Sequence, residues 1–408
     1  MAIICMNKNK YDLHLNFLIM KYKRYIKLLG FATIVMSGSI IAQAQKTTSS
    51  GIFKKQVVTP DFVAEGAAIG DVNKDGKKDI LSGAYWFEAP NWTKHEIMPP
   101  QAFSWKDGYS DSFLDFSADV NQDGWIDLIR IDIAANPAVW YENPKNKSGH
   151  WVARTVYPSI GNESPVFVDI DGDGHLDLLA NDPQNKQVIW LSPPRKKGDT
   201  EWEKNIISSD ENLSTHKYTH GLGYGDINGD GKQDVIIKDG WWEGSGNPKT
   251  PNWKFHPAKI SKECAQMYVY DVNQDGLNDV ISSSAHDYGI WWHEQRKDGS
   301  WTEHEISRKF SQSHGLGFKD LNGDGYPDLL TGKRWYAHNG GDPGGLEAAV
   351  NYWYEFKPGK TPTWIEHKID EDAGVGLHVE IEDMNKDGFP DFVIGNKKGV
   401  YYFEQQKK

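Results

Sequence analysis

The chain has 408 residues, of which 25% are charged and 38% hydrophobic, with 40 Gly, 17 Trp and a formal net charge of −12. That acidity argues against nucleic acid as a partner, because phosphate backbones select basic surfaces. Of the two cysteines, Cys5 and Cys264, the first falls in the N-terminal segment, so no disulfide is expected in the rest of the chain.

In chain order, the first stretch reads as targeting sequence. Met20 precedes a basic run (Lys21, Lys23, Arg24, Lys27), an apolar stretch from Leu28 to Ala42, and Ala42-Gln43-Ala44. This is the pattern of a secretory signal cleaved after Ala44, with Met20 as a candidate true start. The apolar run is short and broken by Ser and Gly, which disfavours a membrane anchor. The expectation is a leader over 1–44, a short linker over 45–51, one repeat domain over 52–405 and a tail over 406–408. The product is exported, periplasmic or secreted, with no membrane span after cleavage. The leader carries a net +5, so the remaining chain stands at −17.

Next comes Phe53 to Val58, an alternating strand that precedes any repeat. Then a nine-residue pattern, Asp-x-Asn/Asp-x-Asp-Gly-x-x-Asp, occurs seven times. Oxygens at positions 1, 3, 5 and 9, a turn-forming Gly at 6 and the position-7 carbonyl suit a loop around a hard cation. The expected ligands are Asp71, Asn73, Asp75, Lys77 and Asp79 in the first loop, and Asp119, Asn121, Asp123, Trp125 and Asp127 in the second. The third offers Asp169, Asp171, Asp173, His175 and Asp177, and the fourth Asp226, Asn228, Asp230, Lys232 and Asp234. Asp271, Asn273, Asp275, Leu277 and Asp279 form the fifth, and Asp320, Asn322, Asp324, Tyr326 and Asp328 the sixth. Asp383, Asn385, Asp387, Phe389 and Asp391 complete the set, for up to seven Ca2+ ions, whose charge would offset most of the acidity. The loops start 45 to 63 residues apart, the spacing of propeller blades.

Each loop is flanked by apolar residues at positions 2 and 10 and followed by an aromatic strand such as Ala84-Tyr85-Trp86-Phe87-Glu88. A third element resembling Trp92-Thr93-Lys94-His95-Glu96-Ile97 comes after it. Each unit therefore reads as a four-stranded antiparallel meander, A to D, with the loop between A and B. The last unit lacks its own strand D, and Phe53–Val58 supplies one. The predicted fold is all-β, a seven-bladed β-propeller closed by the N-terminal strand, which protects sheet edges.

These motifs resemble the FG-GAP/VCBS repeats of integrin α headpieces and many secreted bacterial proteins, over about residues 52 to 405. The resemblance implies the propeller and calcium. Similar repeats occur in some polysaccharide lyases and in fungal aldos-2-ulose dehydratases.

The metal loops take one face of such a propeller. The longer connections, 98–112, 209–219 and Lys333–Val350, take the other, and long loops on a regular scaffold commonly carry function. Six residues before each first Asp stand Glu65, Phe113, Glu163, His220, Ala265, His314 and Leu377. His220, His314, Glu65 and Glu163, with His378 one residue out of register, are therefore candidate catalytic residues at the mouth of the innermost strands. Histidines and carboxylates there could act as general acid and base, hold a transition metal such as Zn2+, or simply solvate a polar funnel. Trp105 and Trp335 lie outside the repeat pattern and suit sugar stacking. Lys333 and Arg334 could neutralise an anionic group, and His286 and His338 fall on the same rim. The expectation is a carbohydrate lyase or dehydratase working by His/Glu acid–base chemistry. The alternative is a propeller that binds glycan or protein without chemistry.

Overall fold

In the computed structural model, residues 48–49, 52–262 and 264–407 are described. The expected leader and most of the linker lie outside them. Nearly all regular structure is antiparallel strand, and the one helical element among the described residues is a 3-10 turn, Ala337–Gly340.

The strands form sets of four, each in the order the meander predicts. The first unit is Ala68–Gly70, Asp79–Ser82, Tyr85–Glu88 and Thr93–Glu96. The second and third share one long strand, Val152–Val168. Its first part pairs with Asn136–Glu142 and its last part with Asp177–Asp182. Units starting at Gly223, Tyr268 and Leu316 are separate four-stranded sheets. The last unit, Glu380–Glu382, Asp391–Asn396 and Gly399–Gln405, gains Phe53–Thr59 as its fourth strand, with Phe53 opposite Gln405 and Val57 opposite Tyr401. Thr48–Ser49 adds a short outer pairing to that strand.

The loops show why the repeat holds this shape. In all seven, the position-6 glycine sits at positive φ and its N–H donates to the position-1 carboxylate, as from Gly76 to Asp71 Oδ2 at 3.0 Å. The position-9 carboxylate reaches back to the position-2 N–H, as in Val72 N–H to Asp79 Oδ2 at 2.9 Å. In six loops its other oxygen caps the end of strand C, as Asp79 Oδ1 does for Ala89 N–H. The ninth position is thus a buried staple between strands, and burial pushes Asp79 up to about 6 and Asp279 to about 7.

Apolar burial falls between units rather than within them. Seven core clusters each straddle two consecutive units. One joins the last unit to the first, with Val58, Val393 and Tyr402 packing on Ile80 and Phe87. Glu380–Glu382 also lies against Ala68–Gly70. Phe53 is 1% exposed and meets Phe392 edge-on at 5.1 Å.

Candidate functional site

The innermost strands carry the residues that stand six places before each loop's first Asp toward one another. Glu65 N–H donates to Ser112 O, Leu377 N–H to Glu65 O and Glu163 N–H to Thr219 O, so successive units are tied by backbone at this level. Glycine makes the approach possible. Gly376 stands where a Cβ would lie 2.0 Å from the Glu65 carbonyl, and Gly221, after His220, has φ +79° with Cys264 packed against it.

Glu65, Glu163, His220 and His314 meet there, around a residue expected at the surface. Arg334 is 2% exposed. Its Nη1 donates to Glu163 Oε2 at 3.2 Å, its Nε lies 3.5 Å from Glu65 Oε2, and its guanidinium covers the Tyr109 ring. Burial pushes the Glu163 carboxyl up, but His220, His314 and Arg334 outweigh it and hold it well below its usual range. For Glu65, burial wins over Arg334 and Lys397 and raises it. His314 is fully buried, which with Arg334 pushes it down to about 3 and keeps the imidazole neutral. Its Nε2 stands 3.3 Å from Glu163 Oε2, and that of His220 stands 3.6 Å away. Neither approach is aligned as a hydrogen bond, and both ring nitrogens of His314 and Nε2 of His220 lack hydrogen-bond partners.

From this cluster the imidazoles step outward. His314 contacts His220 with ring centres 5.0 Å apart, His220 contacts His286 at 4.6 Å, and His286 stacks on His338 at 4.7 Å. At the outer end, Asp342 Oδ2 lies 2.9 Å from His338 Nδ1 and 3.3 Å from His286 Nδ1, and accepts from Gln312 Nε2 at 2.9 Å. These contacts with Gln312 and His338 outweigh burial and hold Asp342 below its ordinary range. The loop pays in strain: Tyr336, His338 and Asn339 all take left-handed φ of 46° to 60°. Tyr109 Oη accepts from the His338 N–H at 2.7 Å and pins that turn. A cleft of about 270 Å³ passes His216 and His220 beside this set.

The remaining candidates sort by burial. Lys333 is fully buried, bonds to Ser311 Oγ at 2.7 Å, and burial lowers it to about 8. Lys333 and Arg334 therefore spend their charge inside the fold, not on a surface anion. His378 turns away from the cluster, with Nε2 on the Ala67 carbonyl at 2.8 Å and its ring against Phe116. Trp105 packs on Trp335 and Tyr336, with ring centres 5.1 and 4.9 Å apart, in a half-buried aromatic group on the loop that carries His338. Asp342, Gln312 and Tyr109 escaped sequence reasoning. The first sits in the long Lys333–Val350 connection, where no periodicity marks it.

On the opposite face, four of the units carry one repeated link. Trp86 stacks on His95 at 4.2 Å, His95 bonds Glu88 at 2.8 Å, and Glu88 accepts from the loop residue Asn73 at 3.1 Å. His304 and His367 occupy the same place beside Glu294 and Glu355, with Asn273 and Asn322 completing the link, and His256 pairs with Glu243 in the fourth unit. The third unit departs: Ser192 replaces the glutamate, Asp171 replaces the asparagine, and Arg195 enters the loop. Its guanidinium lies 2.7 Å from Asp173 and 3.1 Å from Asp177.

The model of the FG-GAP-like repeat matches residues 119–180 and 271–331, which hold the second, third, fifth and sixth loops or their flanking strands. The chain carries FG-GAP-like repeats. No curated protein sequence matches it. Among solved structures, it is similar to an Agrocybe aegerita lectin described as recognising non-reducing terminal N-acetylglucosamine. That match has 16% identity over 77% of this chain and 82% of that one, with a TM-score of 0.47. A triple arginine mutant of AofleA from Arthrobotrys oligospora aligns at 10% identity over 80% and 97% of the two chains, with a TM-score of 0.40. Among the described residues, no helix is long and apolar enough to cross a membrane.

Proposed function

We propose that this FG-GAP repeat protein is an exported, seven-bladed propeller, closed by Phe53–Thr59, that acts on carbohydrate by β-elimination or dehydration. The observation that carries the reading is the rim set of His286, His338 and Asp342 beside Trp105, Trp335 and Tyr336. His338 presents an exposed imidazole whose Nδ1 lies 2.9 Å from Asp342 Oδ2, so the carboxylate orients the ring for proton transfer. In an elimination, one rim histidine takes the proton next to the sugar's carbonyl or carboxyl group. The C–O bond to the leaving group then breaks as the double bond forms, and the second histidine protonates the departing oxygen. The aromatic group offers apolar faces for the sugar ring. A propeller that binds glycan or protein without chemistry is the second reading. It is favoured by the burial of Glu65, Glu163 and His314, which keeps those groups from direct contact with a large substrate.

Calcium belongs to the same proposal, on the opposite face. The donors are hard oxygens in the required order, and Asp71 Oδ1 is buried with no hydrogen-bond partner. In the third loop the Arg195 guanidinium lies against Asp173 and Asp177, while Asp169, Asp171 and Asp177 still bring ligand oxygens within 4.8 Å of one another. Metal analysis of calcium-saturated protein should count up to seven ions per chain, and a count of zero would contradict the reading of the loops. Dissociation constants on the order of 10⁻⁴–10⁻³ M are expected for exported modules. At tenfold excess, each site then adds about 1.4 kcal/mol. Seven such sites predict a melting temperature lower by roughly 10 °C in excess chelator. An unchanged melting curve would mean that these are ordinary turns.

A further inference from the structure

We infer that Glu163, His220 and His314 hold one divalent transition-metal ion of the zinc or cobalt class, at the inner end of the histidine series. One ligand atom from each lies within 4.8 Å of the others, and the three residues come from three different units. Zinc ligands stand about 2.0–2.1 Å from the ion, which in a tetrahedron sets neighbouring ligand atoms roughly 3.3 Å apart. The observed separations from Glu163 Oε2, 3.3 Å to His314 and 3.6 Å to His220, are of that size.

His314 decides between this and a plain ion-pair cluster. It is fully buried, and neither ring nitrogen has a hydrogen-bond partner. An unsatisfied buried polar group is destabilising, and a hydrogen-bonded network would leave fewer of them in one place. A buried imidazole whose Nε2 stands 3.3 Å from a carboxylate oxygen without a hydrogen bond between them has the arrangement of two ligands of one ion. Arg334 does not complete the set, since it touches Glu163 but offers the imidazoles nothing they can donate to. It takes the outer role instead, orienting the Glu163 carboxylate and tying it to Glu65.

Of the three ligands, His220 lines the cleft and also contacts His286 at the rim, so it joins the ion to the proposed substrate side. There the ion would act as a Lewis acid on a substrate oxygen. That last role rests on the function proposed above, whereas the site itself rests on geometry alone.

The test uses the calcium-saturated protein with Co2+ or Zn2+ added alone. One transition ion should bind per chain, with the visible absorption of a low-symmetry cobalt site. His314→Ala, Glu163→Gln and His220→Ala should each weaken binding by 100-fold or more, beyond the 10–100-fold typical of outer-shell changes. Melting curves identify any variant that fails to fold, and His220, the least buried histidine of the three ligands, provides the variant least prone to that failure. Absence of a bound transition ion in folded wild type, or undiminished binding in folded His220→Ala, would overturn the assignment. An ion bound without any elimination activity would leave this site standing and remove the proposed function. Elimination unaffected by stripping the ion would leave the site and the proposed function standing and take away only the Lewis-acid role.

Discussion

A chain that starts at Pro60 should lose cooperative unfolding and aggregate, even with calcium present. Phe53–Thr59 is the fourth strand of the last sheet, and its register against Gly399–Gln405 runs its full length apart from one irregularity near Thr59. Phe53 and Val58 are both buried, the first in the core between the sixth and last units, the second in the core between the last and first. Fully burying side chains of this kind contributes about 1.5–3 kcal/mol each. Whole domains are stable by only about 5–15 kcal/mol, so losing both with their backbone pairings removes a large share. The cut also exposes the Gly399–Gln405 edge, an open template for another chain. Size-exclusion chromatography and thermal melts of the truncated chain check this. A monomer melting like the full chain would show that the last unit stands with three strands.

The second large effect is on turnover. His338→Ala should lower it by roughly 10²–10⁴-fold, the range for removal of an acid–base group. Its side chain is 47% exposed, so melting temperature and calcium count should hardly change. Asp342→Asn keeps the shape but removes the charge that stabilises a protonated imidazole. It should lower turnover at an unchanged melting temperature, while a mere surface loop residue would leave turnover intact. Undiminished turnover in His338→Ala would take the chemistry away from the rim.

Much of the fold was legible in the sequence because it is written in repeats. Position 6 must accept a positive φ and position 9 must reach two backbone N–H groups, so Gly and Asp return at fixed spacing. The shared register of Glu65, Glu163, His220 and His314 likewise put them in one place in space. What the register could not give was depth. Arg334 and Lys333 follow strand Asp328–Gly332 into a connection without periodicity, and charge alone suggested exposure. Only the packing shows that Arg334 turns inward to two carboxylates, and that His378, one residue out of step, faces Phe116 instead of the cluster. Asp342 was hidden for the same reason, since a single acidic residue in an irregular loop has no pattern to stand out from. Ser192 and Arg195 were readable as a break in the repeat, at the one unit where the loop asparagine is also replaced.

The most direct test is to incubate the calcium-loaded protein, with Zn2+ present, with a panel of uronate-containing polysaccharides and follow the ultraviolet absorbance of unsaturated sugar ends. The account predicts new absorbance with at least one substrate, and its loss in His338→Ala. Measurable binding of a glycan on the same panel, with no new absorbance and no change of chain length, would contradict it and leave a propeller that binds without reacting.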